Sequence, residues 1–450
     1  SREDVEDNVQ TLRERSRDAY MGVPLATGAL KTYRTNIIGA GLSLKPKVDA
    51  EGLGITDDQA AEIEKQITRE WNLWADSTDC DASRLSNFYE LQQLGFLNWM
   101  ASGDVLVLLP VWKRAGSVYD LRINMIEADR CATPPGKEYA ADDRIVAGVE
   151  RNARGEVVAY HIAKYHPLGR QGFQNKWERV EAYGRKTGRR NVLHLMNRER
   201  IGQVRGVPLL SPILESLNQI GRYTESELVS AVVASLNTVF ITTENPGGNL
   251  LGETIPEEEQ VDAENESTIE LAAGGIVELA PGEKVETVTP GRPNTAFDGF
   301  VTSICKQIGA ALELPPGLLV KMFTSNYSAS RGALLEAWKT FDMFRDWMCS
   351  GFCQPIYEEW LSEAVAKGRV KAPGFFEDPA IQKCYTQAEW YGPSRGQLDP
   401  KKEVEAAAMR VQYGFSTGTK EAMELTGTDF YDNMRTAKRE NELMKEAFGN

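Results

Sequence analysis

Three histidines (His161, His166, His194) and six cysteines (Cys80, Cys131, Cys305, Cys349, Cys353, Cys384) are the only imidazoles and thiols in this 450-residue chain. Cys349 and Cys353 stand four apart in a helical stretch, half of a zinc-site spacing. No histidine has ligand spacing to them, so core thiols are the expected role. His161 and His166 flank Tyr165 near the end of an extended run. A Ser/His/Asp set can be drawn among so many Ser and Asp residues, but the Gly-x-Ser-x-Gly elbow that exposes a serine nucleophile is absent. Gly184-Arg-Lys-Thr-Gly-Arg-Arg190 is basic without the Gly-x-x-x-x-Gly-Lys-Ser/Thr order of a phosphate loop, and Gly39-Ala-Gly41 lacks the third glycine of a dinucleotide fingerprint. No catalysis, metal or cofactor is expected.

Composition points the same way. The net charge of −14 argues against wrapping DNA through phosphate contacts, which needs a basic surface. It leaves room for DNA as a passing partner, since a like-charged wall repels the phosphate backbone. Apolar residues make up 42% and charged residues 26%, ordinary for a chain with a substantial core. The length suits two to four domains of ~150 residues. No run of ~18 apolar residues predicts a membrane span, so no membrane partner is expected. The charged Ser1-Arg-Glu-Asp-Val-Glu-Asp7 start is unlike a signal peptide. A start at Ser1 rather than Met predicts that residues ahead of it were cleaved or are missing. The scattered cysteines read as reduced thiols in a cytosolic assembly.

The elements that would position any site are dominated by one segment, Arg205 to Leu236. Apolar residues recur at Leu210, Ile213/Leu214, Leu217, Ile220, Leu228, Val232 and Leu236, a helical period. Ser211 is placed to cap this helix and Pro212 fits its first position. About 25 residues at ~1.5 Å rise give a rod of nearly 40 Å. A second helix is predicted at 296–313, ending at Leu314-Pro-Pro-Gly317. Between them lies an insert, 237–293, in which Lys284 is the only base from Glu244 to Pro290. Strands are predicted there at 240–243, 269–271 and 275–279. Two helices that leave and re-enter a body around a β-rich tip suggest a stalk.

Ahead of the stalk, the first ~200 residues read as an α+β body. Helices are predicted over 1–35, from Thr56 and over 88–100, and extended structure over 36–44. Strands are predicted at 104–110, 121–126 and 146–161, the last as a hairpin turning at Asn152–Gly155. After the stalk come a loop, 315–330, and a third helix over 330–367 that Pro355 should kink. The aromatic stripe from Trp338 to Trp360 lacks the interleaved Lys/Arg of a base-stacking surface, so packing is expected. The tail beyond Gly374 reads as polar and helical, with helices from Asp399 and from Asp429.

In this order the pieces resemble a tailed-phage portal protein of the lambda-type family over nearly the whole length. The resemblance rests on Asn36-Ile-Ile-Gly-Ala-Gly41, Trp71-Asn-Leu-Trp-Ala75 with Asp79-Cys-Asp81, and Gly103-Asp-Val-Leu106. It rests also on Glu127-Ala-Asp-Arg130 with Thr133-Pro134, Gly148-Val-Glu150, Ala159-Tyr-His161, Asp399-Pro-Lys-Lys-Glu403, Gly414-Phe-Ser-Thr417 and above all Gln203-Val-Arg-Gly-Val-Pro208. It implies an α+β, mainly helical, multi-domain ring subunit. Its parts would be a wing (1–207), stem helices (208–236 and 294–313) and an acidic clip (237–293). A tunnel loop (314–330), a kinked long helix (331–370) and a helical crown (371–450) would follow. The chain is shorter than expected for the family. The implied function is non-enzymatic: a ring, twelve copies in such proteins, that forms the channel for DNA packaging and ejection at one capsid vertex. The implied partners are its own copies, double-stranded DNA, the terminase large subunit, the head–tail connector and the major capsid protein. The implied location is the virion's portal vertex, with assembly in the host cytoplasm. The competing readings are a nucleic-acid enzyme (packaging ATPase or nuclease) and a non-portal assembly adaptor.

A ring multiplies every lining charge by its copy number. Glu215, Glu225 and Glu227 would become carboxylate bands if they face the channel; otherwise they form a solvated face or pair with Arg222 and Lys306. In the loop, Lys321, Thr324, Asn326 and Arg331 are candidates for light contact with DNA. The plainer alternative has Lys321 in solvent and Arg331 paired with Glu336. Glu257, Glu258 and Glu259 could steer a basic docking partner or be a solvated charge run.

Overall fold

The computed structural model describes residues 5–136, 144–167, 169, 170, 172, 176–235, 239–243, 283–287, 297–322, 327–395 and 400–448. The chain divides into two compact units. One comprises Ser1–Asn218 and Ile304–Asn450, the other Gln219–Ser303. The fold is α+β and mainly helical.

The first unit opens with α1 (Val9–Gly22) and α2 (Pro24–Ile37), split where Val23 turns extended ahead of Pro24, as a residue before proline prefers. Gly39 and Gly41 then take positive φ, so the extended stretch foreseen at 36–44 shrinks to β1 (Ser43–Pro46). A short α3 (Ala50–Leu53) precedes α4 (Asp57–Ala75) and α5 (Phe88–Ser102). Both long helices begin with a reciprocal capping box, Thr56 with Gln59 and Asn87 with Glu90, which satisfies amides that the first turn leaves open.

Strands follow: β2 (Asp104–Leu108), β3 (Asn124–Ile126), β4 (Ile145–Val146), β5 (Val149–Arg151), β6 (Val157–Ala163), β7 (Trp177–Glu181) and β8 (Val192–Met196). They form two antiparallel sheets, ordered β3-β2-β8 and β4-β5-β6-β7. The single strand foreseen from Val146 to Glu150 is instead the end of β4 and the start of β5, joined by a tight turn at Ala147 and Gly148. Ala147 and Gly148 both take positive φ, 46° and 85°, the left-handed pair that a two-residue hairpin demands.

The long helix starts with a 3-10 turn, Ser211–Ile213, and continues as α6 (Leu214–Ser235). Pro212 sits in the first turn as expected, but Ser211 does not cap. Leu210 holds the cap position, and the Ser211 hydroxyl is buried with no hydrogen-bond partner. The second unit's described strands, β9 (Val239–Thr243) and β10 (Glu283–Thr287), pair antiparallel. The strands foreseen at 269–271 and 275–279 lie outside the described residues. The return helix is α7 (Phe297–Ala311).

After α8 (Pro316–Leu319), the third helix is α9 (Tyr327–Met348) and α10 (Gln354–Ala366), joined by a π turn at Cys349–Cys353. Proline clashes with the carbonyl four residues back. For Pro355 that carbonyl is on Gly351, inside the π turn, so the irregularity lies ahead of the proline. Gly351 also packs so closely on β8 that an added Cβ would meet Leu195 Cδ2 at 2.7 Å. The aromatic stripe is core except for Trp347, which is exposed: Trp71 meets Phe88, Tyr357 and Trp360 edge-on, with ring centroids 5.0, 5.7 and 5.1 Å apart. The tail is less purely helical than its composition predicts. After α11 (Pro379–Thr386), β11 (Ala388–Tyr391) pairs with β1 before α12 (Pro400–Gln412), α13 (Gly418–Thr426) and α14 (Phe430–Phe448).

Candidate functional site: a buried arginine–aspartate hub and the candidate channel residues

Asp104 begins β2, directly after the positive-φ Gly103 that ends α5. Its side chain is wholly buried, an expensive place for a carboxylate unless fully paired. Arg13 Nη2 donates to it at 2.8 Å, Arg205 Nε and Nη2 at 2.7 and 3.1 Å, and the Gly206 amide at 3.0 Å. His194 Nε2 is 3.2 Å away. Arg205 spends its other N–H groups on the carbonyls of Cys131 (2.5 Å), Ala147 (2.6 Å) and Ala128 (2.7 Å). Arg13 Nε donates to the Ser102 carbonyl at 2.8 Å. One ion cluster thus joins α1, the end of α5, β2, the 128–131 turn, the β4–β5 turn, β8 and the 205–206 segment. The strained Ala147 hands its carbonyl to Arg205.

Burial opposes ionisation of Asp104, but the charges of Arg13 and Arg205 and the His194 bond outweigh it and hold the carboxyl well below its usual range. Arg13, desolvated and beside Arg205, falls to about 10 and stays charged at neutral pH. Burial lowers His194 and favours neutral imidazole. Burial raises the Cys131 thiol, so it is an inert core group. The other histidines also pair with acids, His161 with Glu150 at 2.9 Å and His166 with Asp129 at 3.3 Å.

The Gln203–Pro208 segment is accounted for residue by residue. Gln203 Oε1 accepts from the amides of Glu199 and Arg200, and its Nε2 donates to the carbonyls of Asn197 and Arg205. The Val204 amide donates to Glu6. Gly206 lies so close to the β2 start that an added Cβ would stand 1.9 Å from the Gly103 carbonyl oxygen. Sequence reasoning found this segment but missed its partners. Arg13 was the available signal, since it shares the buried face of α1 with Val9, Ser16 and Ala19.

The residues singled out from sequence are spread apart. Glu215 is exposed in the first turn of α6, Glu225 is exposed further along, and Glu227 is half-buried. At about 100° per residue, Glu225 and Glu227 point roughly 200° apart, so one face of the helix cannot carry both. Tyr223 packs on Phe297 and Phe300 of α7, with ring centroids 5.6 and 4.5 Å apart. On the opposite side, near Glu225, α6 exposes Leu228 (66%) and Val229 (56%). Lys321 is exposed with φ 55°. Arg331 is half-buried early in α9, and Glu336 pairs with Lys339 at 2.6 Å. Thr324, Asn326, Glu257, Glu258 and Glu259 lie outside the described residues.

Among the described residues no cluster of three or more His, Cys, Asp or Glu could hold a metal, and no helix is long and apolar enough to cross a membrane. The hub spends interior charge on joining segments of the first unit, and α6 separately exposes an apolar side. A family model described as "Phage portal protein, lambda family" matches residues 1–345, and the chain belongs to that family. Portal protein B of Escherichia phage lambda is 22% identical over 445 residues, covering 95% of this chain and 82% of its own length. The portal protein of Escherichia phage N15 is 22% identical over 447 residues, covering 95% and 83%. Among solved structures, the virion of the native gene transfer agent particle aligns with a TM-score of 0.47 at 13% identity. The neck of that particle, computed with C12 symmetry, aligns at 0.48 and 14%. Both cover 92% of each chain.

Proposed function

We propose that this phage portal protein closes into a ring, twelve copies by family resemblance, at one capsid vertex. The axis of the ring is the channel through which double-stranded DNA is packaged and later ejected. Residues 1–207 with the kinked helix at 331–370 form the wing, residues 208–236 and 294–313 the stem, and the acidic insert at 237–293 the clip. The clip docks the terminase large subunit and afterwards the head–tail connector. Residues 371–450 form the crown, and the wing meets the major capsid protein. Assembly takes place in the host cytoplasm. The chain acts as a conduit and not as an enzyme.

The observation that carries this reading is the apolar side of α6, opposite the face that Tyr223 turns to α7. Leu228 and Val229 stand exposed there on a long helix, and cyclic neighbours would bury them. Glu225 then falls at the contact between copies and Glu215 flanks it, while Glu227 lies on the side of Tyr223. Lys321 and Arg331 are the described residues proposed to touch the DNA backbone, with Thr324 and Asn326 beside them in the same loop. The test is mass measurement with end-on imaging of the purified particle. A central hole and a mass near twelve times 50.0 kDa are expected. A chain that never exceeds a small oligomer at micromolar concentration overturns the proposal, and DNA-stimulated ATP hydrolysis or nuclease activity would redirect it.

A further inference from the structure

The Gly184-Arg-Lys-Thr-Gly-Arg-Arg190 run, which its order excludes as a phosphate loop, forms the tip of the connection between β7 and β8. The Gly184 amide donates to the Arg189 carbonyl at 2.7 Å and the Gly188 amide to the Gly184 carbonyl at 2.8 Å. Below the tip, backbone hydrogen bonds run in one row across both sheets of the first unit. The Ala182 amide donates to the Val158 carbonyl, the Asn191 amide to Ala182 and the Leu109 amide to Asn191, at 2.9, 2.9 and 3.0 Å. Three connections therefore open beyond this row at the same end. They are the β5–β6 turn at 152–156, the tip at 183–190 and the β2–β3 loop after Leu109.

That end is cationic in an anionic chain. From Arg144 to Arg200 there are thirteen Lys and Arg against five Asp and Glu, in a chain of net charge −14. The acids close by are already spent. Glu181 pairs with Arg179 and Arg185, Glu359 with Arg189 and Asp120 with Lys367, and Glu156 accepts from Asn152 at 2.6 Å. Lys113, Arg154 and Lys186, one on each connection, are exposed and make no ion pair among the described residues. Trp112 and Tyr183 are 40% and 50% exposed, yet the guanidiniums of Arg114 and Arg190 lie over them, 5.6 and 5.7 Å from the ring centroids. Covered in this way, the rings are not open to a stacked base and instead hold two guanidiniums flat at the surface. Cations that stay in water, strung over several strands at ~4.8 Å spacing, suit a repeating and equally solvated row of phosphates. We propose that this end of the wing sheets takes the phosphate backbone of double-stranded DNA outside the channel, without reading its sequence. The inference goes beyond the conduit reading and does not need the ring.

The probe is a covalently closed duplex minicircle, which has no end to enter a channel. Filter binding to the full chain is followed from ~50 to ~200 mM salt. K113Q/R154Q/K186Q is expected to weaken binding at least tenfold at the low end. It should also make the log–log salt slope shallower by about 2.7, since each phosphate contact contributes ~0.9. K31Q/K371Q/K401Q removes the same charge elsewhere and should stay within twofold of the unaltered protein, with the melting of both variants unchanged. Failure of the unaltered protein to retain the circle, or equal losses in the two variants, overturns the inference. Displacement of the circle by polyglutamate at equal anion concentration assigns the patch to an acidic protein and overturns it as well. Sedimentation of the same samples keeps the ring reading separate. Rings that never bind the circle overturn this inference alone, and small oligomers that bind it through these three residues uphold it and overturn the ring. Circle binding lost only together with assembly makes the patch a contact between copies and overturns the DNA assignment.

Discussion

Replacing Asp104 with Asn keeps the shape of the hub and removes its only fully buried negative charge. The two guanidiniums of Arg13 and Arg205 would then share a dry site. The new amide would point a donor at groups that are themselves donors: Arg13, Arg205 and the Gly206 amide all bond Asp104 now. Breaking a buried pair on one side costs ~3–5 kcal/mol, because the orphaned charge stays buried. The unit that holds the hub has about 365 residues. With an unfolding entropy of ~2.1 cal/mol/K per residue, that loss lowers its thermal midpoint by ~4–6 °C. Fluorimetric melting of the D104N variant beside the unaltered protein, at one scan rate and pH 7.5, measures the drop. A drop under ~1 °C would refute the claim that this carboxylate neutralises buried arginines. The acid limb offers a second check. Asp104 has a depressed pKa in the fold, so its contribution is complete above its unfolded value near 3.9 and lost as pH falls below it. D104N should therefore lose less on acidification below pH 4 than the unaltered protein does.

Three further outcomes follow from particular contacts. Gly206→Ala drives a Cβ to 1.9 Å from the Gly103 carbonyl and should cost ~3 kcal/mol or more; Gly28→Ala, which meets nothing within 4 Å inside α2, should gain ~0.5–1 kcal/mol, both by melting. His194 has a lowered pKa in the fold, so it favours the fold above its unfolded value near 6.5 and loses that contribution as pH falls; H194Q should flatten the melting profile between pH 6.5 and 5. Leu228→Asp puts a charge on the exposed side of α6 and should raise the concentration needed for assembly at least tenfold, measured by sedimentation, with the subunit's melting unchanged.

Local signals in the sequence were strong where the physics is local. Thr56 and Asn87 announce their helices through capping boxes, Pro24 and Pro212 sit in first turns, and the 3.6 period of α6 needs no tertiary partner. What escaped depends on distant residues. Arg13 sits among Val9, Ser16 and Ala19, and only Asp104, ninety-one positions away, explains a buried arginine on that face. The β7 and β8 strands escaped because β7 is edge-like and polar, and β8 gains its place by pairing with β2. The tail strand β11 escaped because its pairing with β1 bridges more than 340 positions. Of the candidate site residues, spacing alone was enough to separate Glu225 from Glu227 around α6, while Gly206 is understood only from the backbone it touches.

The hub and the exposed helices divide the work. Each acceptor in the hub is met within one chain, by segments drawn from Arg13 to Gly206, so this interior needs no partner to be complete. Among the apolar residues that a solitary chain leaves in water, Leu228 and Val229 on α6 are the ones that the ring reading buries. Folding and association are therefore assigned to different residues, since none of the hub's hydrogen-bond partners named above lies on α6. Effects at sites without shared partners add within ~0.3–0.5 kcal/mol. The D104N/L228D double variant should thus show the melting loss of the first and the assembly loss of the second, each undiminished. If the hub substitution alone shifted the assembly concentration of soluble, folded subunits by tenfold, the hub would be part of the contact between copies, and the separation argued from its enclosure within one chain would be wrong.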